Sequence, residues 1–429
     1  MKLVLVSPPL HMPDRGSQLY YTNGLLSVAA AWRAKGHDVS IVDAPAEGWA
    51  NERHEPASGR WYRGLEVAQV ASRVTALKPD LIGVTIPFSV LAVPAFAIAD
   101  ALRLHHAPVV AGGHHASVRP DACLEHFDAV VVGEGEAVDP EALLDTTGTV
   151  RGPVIKDLNL LSMPARDLVP LHRYFEAARG AMIHGVQGIE RWASLVTSRG
   201  CPHNCCFCAI NLTMGRAWRA RSAANVLAEI DYLRKAHQVD VLVIEDDNFT
   251  VHRRRAEDIL HGIIDSGRPT RLFAPNGLRA DTLDQDLLAL MKRAGFEEIW
   301  ISPESGSQRV VNEVIGKRLD LSVVEQVVKN GTAIGLPVSC FFVIGLPGET
   351  VAEIEETIAF AKKLRGLGMH RYACGYAIPS WGTRLYQDCL DRGMIDGFSD
   401  DMISSSNPTI NNPALPSSQL RALRSKFVI

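Results

Sequence analysis

The sequence predicts an α/β protein in two parts: a doubly wound parallel sheet, then a partial barrel of six strand–helix units. Three observations carry this. Strand-length apolar runs alternate with helical patterns over residues 1–136. A proline-punctuated stretch interrupts them, and alternation resumes at Trp192 for six further units. Six units are too few for a closed eight-stranded barrel, so one side is expected to stay open. The implied boundaries are 1–150 for the first domain, 151–190 for a linker, 191–395 for the barrel and 396–429 for a tail.

In the first domain "KLVLVSPP" is a short apolar run, and "GLLSVAAAWRAKGHD" after it has helical spacing with a Gly36 stop. "VSIVDA", a helix around Leu65 to Leu77, "DLIGVTIPF", a helix from Val93 to His105, "PVVAGGHHA" and "DAVVVGEGE" follow. Five near-continuous apolar strands with helices between them read as a parallel sheet covered on both faces, flavodoxin-like in its winding. Such sheets take ligands at the carboxyl ends of their strands. Small residues gather there, at Ser7 to Pro9, Thr85 to Phe88, Gly112 to His115 and Gly133 to Glu136. A glycine alone often just ends a strand; four strand ends agreeing favour a ligand crevice.

In the second part "WASLVTSRG", "VDVLVIEDDNF", "TRLFAPNGLRAD", "EEIWISPESGS", "LPVSCFFVIGLPGE" and "HRYACGYAIPSWGT" read as strands with their following loops. Helical patterns such as "NVLAEIDYLRKAHQ" and "VAEIEETIAFAKKLRGLG" separate them. The tail begins polar and ends with Leu420, Leu423 and Phe427 at helical spacing, as a docking helix would.

Composition excludes several classes. A net charge of −4 and 47% hydrophobic residues over 429 positions describe a soluble globular protein, without a broad nucleic-acid surface. No run reaches the roughly eighteen apolar residues of a membrane span, and the start reads as a first strand, not a secretory signal. Four cysteines (Cys123, Cys340, Cys374, Cys389) are scattered, and the other four crowd into "SRGCPHNCCFCAI". Scattered thiols beside one dense cluster suit a reducing cytoplasm and a metal site.

Cys201, Cys205 and Cys208 are spaced C-x3-C-x2-C after a strand and before a helix, with Cys206 a fourth thiol. Zinc ordinarily takes two separated ligand pairs, and no second pair follows, so zinc is the weaker reading. Three thiolates on one loop suit a four-iron, four-sulfur cube with one iron left open for chemistry. Cys206 breaks the spacing and reads as a bystander; the reverse, with Cys205 spare, is the weaker alternative.

This C-x3-C-x-aromatic-C motif, with Phe207 as its aromatic residue, resembles that of the radical S-adenosylmethionine (SAM) superfamily. The resemblance spans roughly residues 190–395. It implies that SAM chelates the open iron of a [4Fe-4S] cluster and is cleaved to methionine and a 5′-deoxyadenosyl radical. It also implies SAM contacts from Asp246 and Asp247 in "EDDNF" to the ammonium, Glu304 and Ser305 in "PESGS" to the ribose, and Gly345 in "FFVIGLPGET" to the adenine. Ala377 and Ile378 in "AIPSWGT" would bond adenine through their backbone, and Arg279 would pair the SAM carboxylate. For the acids, the plain alternative is a solvated helix cap; for Arg279, a surface arginine.

A doubly wound domain ahead of the barrel is similar to the cobalamin-binding class of this superfamily. The resemblance places the cobalamin contacts at Pro9, Leu10, Thr85, Ile86, Gly112, Gly113, His114, Gly133, Glu134 and Gly135. The segment "PPLHMPDRG" lacks Asp-x-His-x-x-Gly, and His11 is wrongly spaced, so no protein imidazole is expected beneath cobalt. Methylthiotransferases carry three extra cluster cysteines in their first domain; here there is only Cys123. The expected activity is a cobalamin-dependent C-methyltransferase. Its radical would take hydrogen from an unactivated substrate carbon, which then receives the methyl of methylcobalamin. A rearrangement or cyclisation without methyl transfer, and a non-catalytic iron–sulfur or cobalamin sensor, are the alternatives. Expected partners are a small natural-product intermediate, a lipid or a peptide as substrate, and flavodoxin or ferredoxin as electron donor. Tyr20, Tyr21, His114 and Trp381 are candidate pocket residues, with ordinary packing as the plain reading.

Overall fold

The computed structural model describes all residues except 16–17, 57, 104, 180–186 and 428–429. They form two compact units, Met1–Trp192 with Leu212–Met214, and Ala193–Asn211 with Gly215–Ile429.

In the first unit β1 (Lys2–Ser7), β2 (Asp38–Asp43), β3 (Leu81–Thr85), β4 (Val109–Gly112), β5 (Ala129–Gly133) and β6 (Gly148–Gly152) form one parallel sheet. Their order is β2-β1-β3-β4-β5-β6. The apolar runs have two buried faces to fill. Leu3 and Leu5 cluster with Leu25, Ala29 and Trp32 of α1 (Asn23–Ala34). Val4 and Val6 cluster on the other face with Val70 and Val74 of α2 (Val67–Leu77) and Ile98 of α3 (Ala92–Leu102). Chain order reverses between β1 and β3, so the switch point lies beside Ser7 and Thr85.

Three features depart from the sequence reading. The sheet has a sixth strand: "GTVRG" has one apolar side chain between glycines, and its pairing with β5 decides its state. A small antiparallel sheet joins Leu10–Met12, Arg60–Arg63 and Glu52–Glu55. It has no apolar alternation; guanidiniums lie over rings instead, Arg53 3.9 Å from the Tyr62 centroid and Arg63 4.0 Å from that of Trp49. The stretch read as a linker contains a helix, Leu171–Ala178, that packs into the first unit. Its Tyr174 stacks on Tyr21 at 4.3 Å and donates to Asp43 Oδ2 at 2.5 Å.

The second unit has β7 (Trp192–Leu195, its first residue counted with the first unit), β8 (Val241–Ile244) and β9 (Arg271–Phe273) in one triplet. A second triplet contains β10 (Ile299–Glu304), β11 (Val338–Ile344) and β12 (Tyr372–Tyr376). Parallel bridges Leu272–Phe296 and Leu278–Ile301 join the triplets into six strands. Between successive strands run α4 (Ala223–His237), α5 (Arg253–Asp265), α6 (Gln285–Ala294), α7 (Leu321–Ala333) and α8 (Val351–Gly366). Their ends are chemically marked. Ser222 caps α4, Asp284 caps α6, and Thr350 with Glu353 forms a capping box on α8. After β12 come α9 (Arg384–Asp391) and α10 (Ser417–Ser425), the latter burying Leu420 and Leu423. Among the described residues no helix is long and apolar enough to cross a membrane.

Gly295 ends α6 at φ +110°, where an added Cβ would collide with the Thr270 carbonyl oxygen. Gly295→Ala is therefore expected to lower unfolding free energy by about 2 kcal/mol or more. Gly366, in open space within α8, should tolerate alanine with a gain of up to about 1 kcal/mol. Urea unfolding of the two variants checks both signs.

Candidate functional site

The cysteine loop leaves the short strand Ser198–Arg199 through Gly200, whose φ of +82° favours a residue without Cβ. The Gly200 N–H donates to Asp247 Oδ2 at 3.0 Å, fixing the loop's start to the end of β8. Cys208 N donates to the Cys205 carbonyl at 3.1 Å, and Asn211 Nδ2 to the His203 carbonyl at 2.8 Å. The peptide of Cys206 is gripped from both sides. Its N–H donates to the Ile315 carbonyl at 2.8 Å, and its carbonyl accepts from Leu385 N of α9 at 3.0 Å. The Cys206 side chain is buried in an apolar cluster with Val310, Leu346 and Cys389. Cys201, Cys205 and Cys208 remain half-exposed.

Among the described residues no three His, Cys, Asp or Glu side chains are gathered for a single metal ion. The three half-exposed thiols lie within electrostatic reach of one another. That donor set fits a cube held at three corners, with the fourth sulfur withdrawn into packing. Burial raises the thiols of Cys201 and Cys205 above the ordinary range and pushes Cys208 up to about 11. Lys317 and Arg279 oppose this at Cys201 and Cys205. A metal would therefore displace protons on binding.

The strand-end residues divide into two groups. Asp246 is turned into the protein, where it accepts from Thr197 N and Oγ1, both at 2.5 Å, and from Ser198 Oγ at 2.6 Å. Three internal donors occupy it, so it braces the segment after β7 against the end of β8 and is not free for the ammonium role expected of it. Asp247 stays half-buried beside the loop, and burial pushes its carboxyl up to about 6. Ser305 is likewise taken up: fully buried, it lies 2.9 Å from Thr357 Oγ1 of α8 and accepts from Ser307 N at 3.1 Å. Arg279 is no surface arginine. It is buried, forks onto Asp281 at 2.9 and 2.6 Å, and donates to the Lys317 carbonyl at 3.1 Å.

Glu304 carries backbone strain, with φ +69° away from any helix end, and pairs with the buried Lys317 ammonium at 2.8 Å. Lys317 is a residue that sequence reasoning missed; a single lysine in "IGKRLD" gives no signal until the fold lays it by the thiols. Gly345, at φ +87°, donates to Glu349 Oε2 at 2.7 Å. Ala377 N is engaged by the Ile344 carbonyl at 2.9 Å. Phe207, Glu304 and Ile378 share the wall of one cavity of about 790 Å³ with Phe341, Tyr376 and Arg424. That size suits a cofactor or drug-sized ligand. Trp381 lies outside that wall, donating to Asp400 Oδ1 at 2.6 Å.

In the first unit the small residues line the carboxyl ends of the sheet. Thr85 ends β3 and Gly112 ends β4, with nothing within 4 Å of an added Gly112 Cβ. Gly113, at φ +101°, lies so close to Ile86 that a Cβ would meet its carbonyl oxygen at 2.9 Å. His114 opens the following short helix, half-buried. Gly133 ends β5 and donates to Ser117 Oγ at 3.0 Å. Pro9 and Leu10 follow β1, Leu10 entering the small sheet opposite Arg63. Open space thus lies at Gly112, at the end of β4 beside Thr85 and Gly113, and fits a flat ligand. Glu134 is buried and accepts from Ile155 N at 2.6 Å, Gly135 packs against Val28, and Ile86 is fully buried. His11 is tied to Glu55 at 3.0 Å. Tyr20 packs edge-on to Phe88, whereas Tyr21 is buried and donates to the Trp192 carbonyl at 2.8 Å.

Comparison with known proteins agrees with both halves. Residues 17–143 match the B12 binding domain family model, and residues 195–361 match that of the radical SAM superfamily. An uncharacterized methyltransferase of Pyrococcus horikoshii is 28% identical over 100% of this chain and 92% of its own. Cytidylyl-2-hydroxyethylphosphonate methyltransferase of Streptomyces wedmorensis is 28% identical over 88% of this chain and 79% of its own. Among solved structures, the radical SAM methyltransferase TsrM of Kitasatospora setae, bound to tryptophan substrate and a SAM analogue, has a TM-score of 0.67 at 18% identity. That likeness covers 91% of this chain and 76% of TsrM, and shows a shared fold. The chain thus joins a B12 binding domain to a radical SAM domain, the pair whose cofactors are cobalamin, a [4Fe-4S] cluster and SAM, and it is similar to proteins named as methyltransferases.

Proposed function

We propose that the protein methylates an unactivated carbon of a small molecule, a natural-product intermediate in the first instance. The observation that carries this reading is the cysteine loop: three half-exposed thiols, the fourth withdrawn, and Phe207 of the same loop in the wall of a ligand-sized cavity. When bound, the cluster and SAM supply a 5′-deoxyadenosyl radical and cobalamin supplies the methyl group. The chain's own residues bind and orient. Cys201, Cys205 and Cys208 would hold three irons, Asp247 would accept from the SAM ammonium, and Glu304, steadied by Lys317, would meet the ribose. Gly345 and Ile378 would offer backbone to the adenine, with Phe207 in the wall beside it. Thr85, Gly112 and Gly113 would hold cobalamin at the sheet's carboxyl ends. Such a site works by orientation, because a radical needs proximity to one C–H bond more than acid–base help. A small ferredoxin or flavodoxin would supply the electron. The relatives named for methyl transfer support methylation over rearrangement.

Anaerobic reconstitution followed by iron analysis tests the ligand set. Cys205→Ala and Cys208→Ala should each lose most of the roughly four irons per chain, whereas Cys206→Ala should keep them and lose only about 1–2 kcal/mol of stability. Equal iron loss in Cys206→Ala would reverse the assignment.

Methyl-labelled SAM tests the reaction. The reconstituted, cobalamin-loaded protein should form 5′-deoxyadenosine and a product heavier by one labelled methyl group. A product of unchanged mass formed with 5′-deoxyadenosine would establish rearrangement. Binding of SAM with no 5′-deoxyadenosine under any reductant would establish a sensor.

A further inference from the structure

The last strand of a partial barrel has an unpaired edge, and the C-terminal segment covers it. Tyr376 N of β12 donates to the Ser405 carbonyl at 2.9 Å. An added Cβ on Gly345, at the end of β11, would stand 3.1 Å from Leu420 of α10. The Phe427 ring lies 6.1 Å from Phe342 and 6.0 Å from Tyr372. Apolar contacts thus seat α10 on the barrel wall and carry one cation, Arg424, to the cavity lining.

Arg424 lies with its guanidinium carbon 4.9 Å from the Tyr376 ring centroid, and Nη1 donates to the Ser406 carbonyl at 3.0 Å. Among the described residues no carboxylate stands within 4.0 Å of it. The other ionisable groups in the cavity wall leave its charge unbalanced. Glu304 is paired with Lys317, and burial pushes the Cys374 thiol up to about 12, so it is neutral. Glu349, the buried acid in electrostatic reach of Cys374, gives one oxygen to Gly345 N and Leu346 N, and burial raises it to about 7. Around Arg424 the wall is aromatic, with Phe341, Tyr372, Tyr376 and Phe427. A half-buried guanidinium with unused donors beside flat rings recognises a planar group bearing an anion.

We propose that Arg424 is a specificity-determining residue that binds an anionic group of the substrate, a carboxylate or phosphoryl group, while the aromatic wall packs on its planar portion. This rests on the cavity holding the substrate beside SAM in the enzyme described above. It extends that reading to the substrate's charge.

Calorimetry on the full, reconstituted chain with phenyl phosphate, benzoate and neutral benzyl alcohol tests it, each with and without SAM. At least one anion should bind more tightly than benzyl alcohol. Arg424→Gln should weaken that anion about tenfold or more, and Arg424→Lys should restore the preference for it. Benzyl alcohol should bind wild type and both variants alike. Anion affinity should fall with added salt in the wild type, which keeps the test valid should a variant fail to fold. Equal anion binding by wild type and Arg424→Gln, no preference over benzyl alcohol, or displacement of the anion by SAM would each overturn the proposal. Displacement would assign Arg424 to the SAM carboxylate. 5′-Deoxyadenosine formation by the same wild-type preparation scores the radical reading separately. An Arg424-dependent anion without that product would leave the anion site standing and sink the radical reading.

Discussion

The second unit depends on how the peptide of Cys206 is held. One hydrogen bond from its N–H to the Ile315 carbonyl and one to its carbonyl from Leu385 fix the middle of the cysteine loop between two other segments. A chain fixed there has little freedom to choose which sulfur faces out. The Cys206 side chain is buried in the apolar cluster around Leu346 and Cys389, whereas its neighbours Cys205 and Phe207 pack against that cluster and stay half-exposed. A loop with four thiols in eight positions would otherwise have several near-equivalent ways to ligate. The backbone clamp withdraws one of the four sulfurs, so packing as well as spacing bears on the three-thiol set expected of the cluster.

Charge beneath the loop is arranged with similar economy. The barrel places two acid–base pairs near it, the buried pair Glu304 with Lys317 and the buried Arg279 with the exposed Asp281, and Arg279 also holds the carbonyl of Lys317. The cations Lys317 and Arg279 oppose the burial that keeps the thiols protonated, and each remains satisfied by its own carboxylate. On the neighbouring strands the work is structural. Asp246 gathers three donors from Thr197 and Ser198, and Arg255 donates to the carbonyls of Arg221 and Thr197 at 2.6 and 2.7 Å. Adjacent acids in "EDDNF" therefore part: Asp246 joins this brace, and Asp247 reaches the loop through Gly200.

The parts of the fold legible in the sequence were those whose periodicity matched their burial. β1, β3 and β5 are buried on both faces and read as unbroken apolar runs. α6 and α8 begin at residues whose side chains bond the first-turn N–H groups. Elements held by other forces were not legible. β6 owes its state to pairing with β5, and the small antiparallel sheet to guanidiniums over rings and to Arg60 donating to the His11 carbonyl at 2.8 Å. Tyr174 lies in a stretch without alternation, yet it stacks on Tyr21 and bonds Asp43, more than a hundred positions away.

Local patterns alone determined the two α/β units and the three-thiol motif, because strand burial, helix capping and ligand spacing are written within a few residues. Only the tertiary structure decided which side chains at the strand ends are available. Asp246 and Ser305 are consumed by partners 48 to 52 positions away, while Lys317 and Arg424 are brought to the site from segments with no motif of their own. A hydrogen bond between distant segments leaves no mark on local periodicity, so a residue's chemical type shows what it can bind, and its folded neighbours determine whether it is free to do so.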